Sequence, residues 1–144
     1  MEQTHETGTE SFEDGPITPT RIAMAAALMD VVAFAIIGHI ALDDIAIGGI
    51  TGLMVGLGVY CFLPLFLLAD EDGLGTLAPA DDAAPLRGFH RLAAGLALSG
   101  GGMVLFATGF MELELFVGLA AAVVATGVGY LTIGFVLPNA KLPK

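Results

Sequence analysis

The sequence predicts an all-α, polytopic transmembrane four-helix bundle of two helical hairpins, and three observations carry that prediction. Charged residues make up 14% of the chain and the apolar set 56%, against about 25% and about 45–50% in soluble domains. The apolar residues fall into four long blocks, each close to the ~20 residues a helix needs to cross a ~30 Å hydrocarbon layer. These blocks lack the polar face that a water-soluble core helix needs. A mean hydropathy of +0.83 agrees.

Residues 1–20 (MEQTHETGTESFEDGPITPT) carry five acids and are expected to form a disordered, acidic cytoplasmic tail. A secretory signal begins with a basic region, and this segment begins with acids. Thr18-Pro19 is a cap-and-start pair for the helix that follows. The transmembrane domain is expected over residues 21–144. Its first span is about 22–42, ended by Asp43-Asp44, and the second, about 45–68, begins at once, so the connection is a tight helical turn. Residues 70–90 form the long internal loop, with five acids, two prolines and three glycines. The third span is about 92–111, Glu112-Leu113-Glu114 makes a second tight turn, and the fourth span, about 115–137, is expected to stop at Pro138.

Positive charge fixes the expected orientation. Four spans put the N-terminal tail, the 70–90 loop and the C-terminal tail on one side, and Arg21, Arg87, Arg91, Lys141 and Lys144 all lie there. Both turn tips carry only acids. Lys and Arg near span ends stay cytoplasmic, so both termini are expected in the cytoplasm, with the protein multi-pass in the cell membrane.

Displaced by 70 residues, the two halves align without a gap: Arg21 meets Arg91, Asp44 meets Glu114, Gly48 meets Gly118 and Tyr60 meets Tyr130. The Arg and Tyr matches weigh most, because the chain has three Arg and two Tyr. Two readings stand: a tandem duplication with a pseudo-two-fold axis along the membrane normal, as in parallel-repeat transporters, or the match any two acid-tipped membrane hairpins would give.

Lipid offers no hydrophobic drive for helix association, so small residues must let helices approach. Gly48, Gly52 and Gly56 lie on one face of the second span, and Gly118, Ala122 and Thr126 repeat that spacing in the fourth. In the third, Gly100-Gly101-Gly102 is expected to give a kink or a very close contact, and Pro64 is expected to bend the second. Such stripes say that helices meet, either within the chain or in a homo-oligomer.

Asp30 is the one acid inside a span. Nine residues beyond Arg21, it sits roughly 13 Å into the membrane at 1.5 Å per residue. An ionisable group there costs about 2.5–3.5 kcal/mol and usually faces the bundle interior. Ala23, Ala26, Ala27 and Ala33 share its side of the helix. Ser99 and Thr126 fall at a similar depth, with Gly56 leaving space, and are the candidate partners of Asp30 in a proton or ion site. No Lys or Arg lies at that depth, and desolvation without a cation favours the protonated carboxyl. Four short spans with one acid in the first are similar in outline to the small multidrug carriers. The likeness stops at the outline, because the aromatic residues around their substrate are missing here: the chain has no Trp, and both Tyr lie toward the inner surface.

Other chemistry finds little support. The acidic balance, 15 Asp and Glu against 5 Lys and Arg, repels nucleic acid and anionic headgroups; it has the style of proteins from salt-adapted cells. Cys61 stands alone, so no intrachain disulfide or cysteine metal site can form; it reads as a small packing residue. His39 points half a turn away from Asp30 and reads as an interfacial cap rather than a ligand with Asp43 and Asp44. His39 and His90 belong to opposite membrane levels, against a haem between them. The glycine runs lie within spans and imply no nucleotide loop. No catalytic residue, cofactor or metal is expected. The expectation is a non-enzymatic accessory or assembly subunit, in the lipid bilayer, within a larger membrane complex or a homo-oligomer. The alternative is a small proton- or ion-coupled transporter centred on Asp30.

Overall fold

The computed structural model describes residues 17–68 and 84–139. All regular structure among them is helical: α1 (Pro19–Leu42), α2 (Ile45–Leu68), α3 (Ala84–Phe110) and α4 (Leu115–Asn139). Each is long and apolar enough to cross a membrane. The tail through residue 16, residues 69–83 of the loop region, and Lys141 and Lys144 lie outside the described residues.

The helix starts follow their capping chemistry. The Thr18 hydroxyl accepts the Arg21 N–H at 3.3 Å, and Pro19 occupies the first turn, where its missing N–H costs nothing. Asp44 Oδ1 accepts the N–H groups of Ala46 (2.8 Å) and Ile47 (3.0 Å), which caps α2. A residue in the left-handed region follows α1 at once and α3 two residues on, Asp43 and Glu112, each with φ 53°. The next N–H then turns back into the helix: Asp44 to the Gly38 carbonyl and Leu113 to the Thr108 carbonyl, both 3.3 Å. These bonds satisfy carbonyls that a helix end would otherwise leave open.

Two boundaries differ from the sequence expectation. Helix α3 begins at Ala84, so residues 84–90, read as loop, are helical. Pro85 sits in the first turn, where a helix tolerates it, and the Arg and His of this stretch extend the helix beyond its apolar part. Helix α4 runs through Pro138 to Asn139 instead of ending at Leu137. Helix α2 continues through Pro64, and α3 is unbroken across Gly100-Gly101-Gly102.

The principal contacts run in series, α1 on α2, α2 on α3 and α3 on α4, with a slight touch between α1 and α3. That touch includes the Phe34 and Phe106 rings, edge to face at 5.7 Å. Helix α3 is accordingly the most enclosed, with 44% of its apolar window buried, and α1 the least, with 6%. A small core of Ile47, Leu105 and Ala122 sits toward the turn-tip end, with Leu42, Met54 and Leu119 packed around it. Elsewhere large apolar side chains such as Ile40, Phe116 and Phe135 face outward, as lipid requires.

Candidate functional site

Helix contacts set the geometry around Asp30. On α1, Ala27, Val31, Phe34 and Gly38 form the ridge that meets Gly56, Gly52 and Gly48 of α2. A Cβ on Gly56 would lie 2.5 Å from the Ala27 carbonyl oxygen, and one on Gly52 would lie 2.7 Å from Val31 Cα and 2.8 Å from the Asp30 carbonyl oxygen. One on Gly48 would meet the Phe34 carbonyl and, at 2.9 Å, Gly38 Cα. Only glycine admits backbones this close. The backbone of Asp30 is thus clamped beneath Gly52 at the middle of α1.

Its carboxyl is in a different situation. Asp30 is half-buried, and among the described residues no hydrogen bond or ion pair reaches its side chain.

Helix α2 presents its other flank to α3. A Cβ on Gly58 would run into Ser99 Oγ, and one on Gly102 would lie 3.0 Å from Val55 Cγ2 and 3.2 Å from the Thr51 carbonyl oxygen. Helix α3 turns its next face to α4: Gly101 abuts Thr126 Oγ1 and, at 2.9 Å from a built Cβ, the Ala122 carbonyl oxygen. Of the three glycines in the run, Gly101 serves α4, Gly102 serves α2, and Gly100 faces open space. On the other side of the α3–α4 contact, Gly118 packs at Thr108 and Leu105, and Ala122 is fully buried.

Asp30, Ser99 and Thr126 therefore lie at three successive contacts, α1–α2, α2–α3 and α3–α4. The Ser99 and Thr126 hydroxyls are buried and have no hydrogen-bond partner among the described residues, so neither donates to Asp30. A third hydroxyl, that of Thr51, is fully buried and equally unpaired. In the sequence, the one signal of Thr51 is its place one residue before Gly52, off the glycine face. At the loop end a pairing forms that no motif in the sequence announces. His90 Nδ1 and the Tyr130 hydroxyl are 2.8 Å apart, with their rings stacked at 6.2 Å. In the sequence the two share only a level of the membrane, that of the loop end.

No three His, Cys, Asp or Glu side chains converge to hold a metal ion among the described residues. Asp44 is engaged in capping α2, and Cys61 is a free, half-buried thiol beside Gly95.

Together these features define a small multi-pass helical membrane protein. Comparison with protein-family models, known proteins and solved structures gives no match.

Proposed function

We propose that this chain is a non-enzymatic accessory or assembly subunit that packs against other proteins in the membrane. The observation that carries the reading is that the Asp30 carboxyl, at the midpoint of α1, the least enclosed helix, has no partner among the described residues. Intramembrane carboxyls are costly and find partners, and the described part of this chain offers Asp30 none. Both termini are placed in the cytoplasm on the distribution of Lys and Arg.

We further propose that the chain is a tandem duplication of a two-helix hairpin. Gly38 meets Gly48, and seventy residues on Thr108 meets Gly118; Val31 meets Gly52, and seventy residues on Gly101 meets Ala122. The return hydrogen bonds at the two turns end on Gly38 and Thr108, the same pair of equivalent positions.

The test is purification of the tagged full-length chain from its native membrane in mild detergent. A partner present in fixed stoichiometry is expected. A chain that elutes alone across several mild detergents would overturn the subunit reading. The unpaired carboxyl also favours a second reading, a proton-coupled carrier. Proteoliposomes that show proton-driven flux, abolished by Asp30→Asn without loss of folding, would establish it instead.

A further inference from the structure

We infer that Asp30 is the recognition point for a transmembrane helix of another protein, one that carries a single Lys or Arg near the bilayer midplane. This rests on the subunit reading and names the chemistry of the partner. Asp30 lies eleven residues from Pro19 and twelve from Leu42, the two ends of α1, which puts its carboxyl near the centre of the hydrocarbon layer. Its backbone is fixed under Gly52, so the carboxyl projects from a rigid support. Ala26 and Ala33 bracket it on the same face, four residues before and three after, and Ala33 is exposed. Small side chains on both sides leave room for a long basic side chain to reach in from a neighbouring helix. Beyond them, Met29, Val32, Ile36 and Ile37 are exposed and apolar, a surface on which a membrane helix can lie.

Charge complementarity selects the occupant. The five basic residues are Arg21, Arg87, Arg91, Lys141 and Lys144. Arg21 is the third residue of α1, Arg87 and Arg91 fall within the first eight residues of α3, and Lys141 and Lys144 follow the described end of α4 in the sequence. A second copy therefore brings no cation to the level of Asp30, while a different helix with a mid-span Lys or Arg does. Charged residues within membranes pair with one another for this reason.

The experiment places the full-length protein in phosphatidylcholine bilayers with a fluorescence donor on its N-terminal segment. Acceptor-labelled transmembrane peptides of Leu and Ala carry Lys, Leu or Glu at the central position. Wild type is expected to bind the Lys peptide about tenfold more tightly than the Leu peptide, the scale of one interhelical polar contact. Asp30→Asn should abolish that preference, and Asp30→Glu should keep it. Asp30→Lys should bind the Glu peptide best. Equal binding of the Lys and Leu peptides by wild type overturns the inference, as does a Lys preference that survives in Asp30→Asn. Self-association of wild type that is lost in Asp30→Asn also overturns it, in favour of a second copy. The subunit reading fails by a different result, the absence of any stoichiometric partner from native membranes.

Discussion

Gly38 and Gly48 occupy each other's side-chain space: a Cβ on Gly38 would stand 2.5 Å from Gly48 Cα. The crossing of α1 and α2 is set at this point and continues through Gly52 and Gly56. A side chain at any of these positions must push backbone against backbone, which has no soft way to yield. Gly52→Leu is therefore expected to weaken the fold by about 1–3 kcal/mol, the usual range for overpacking. Gly127, with open space around it, is the control, and Gly127→Ala should leave stability unchanged or raise it. Unfolding in mixed micelles, followed by far-ultraviolet circular dichroism against added SDS, reads both. Equal stability of Gly52→Leu and wild type would show that this crossing is loose.

The three unpaired hydroxyls make an opposite prediction. Thr51, Ser99 and Thr126 bury an oxygen with no partner among the described residues, a state that costs roughly 1–3 kcal/mol per group. Thr51→Val keeps the shape and removes the cost, so it should be neutral or stabilising by up to about 1 kcal/mol. Thr108 is the contrast: its hydroxyl donates to the Leu105 carbonyl at 2.6 Å, and Thr108→Val should lose about 0.5–1.5 kcal/mol. The same unfolding assay separates the two. A loss in Thr51→Val as large as that in Thr108→Val would mean that Thr51 is bonded.

The spans and their tight turns were legible because a run of about twenty apolar residues has few other uses, and Asp43-Asp44 and Glu112 break the runs sharply. The start of α3 was not. Residues 84–90 mix Pro, Arg, Gly and His, and beyond the hydrocarbon layer nothing in such a composition separates loop from helix. The glycine face of α2 could be read from spacing, because four-residue steps stack on one side. Which helix that face meets could not, since periodicity gives a phase and no neighbour. The same limit scattered the expected site. Ser99 and Thr126 matched Asp30 in depth, but depth says nothing of lateral position, and the serial order of helices sends each hydroxyl to a different contact.

At the turns, Glu112 carries a left-handed backbone (φ 53°) on a side chain that disfavours it. Glu112→Gly removes the Cβ conflict and should stabilise the protein by about 1 kcal/mol. Asp43 shares the conformation, but Asp tolerates it better, so Asp43→Gly should gain less. Asp44, one residue on, caps α2 through its side chain, and Asp44→Ala should lose about 0.5–2 kcal/mol. Thermal unfolding in one detergent ranks the three variants. A ranking with Asp44→Ala above wild type would refute the cap.

The loop end of the α3–α4 contact is held by His90 and Tyr130 through two separable interactions. The hydrogen bond runs between Nδ1 and the phenol oxygen at 2.8 Å, and the rings stack with an interplanar angle of 29°. Tyr130→Phe removes the first and keeps the second, so the loss should be about 0.5–1.5 kcal/mol. Tyr130→Leu removes both and should cost a further 0.5–1.5 kcal/mol or so from the lost ring pair. Because His90 is exposed, hydrogen exchange at the start of α3 reports the local effect better than global unfolding does. Faster exchange is expected near His90 in Tyr130→Phe, and faster still in Tyr130→Leu, with α1 and α2 unchanged. Exchange that rises equally in all four helices would mean that the pair supports the whole assembly rather than the end of one contact.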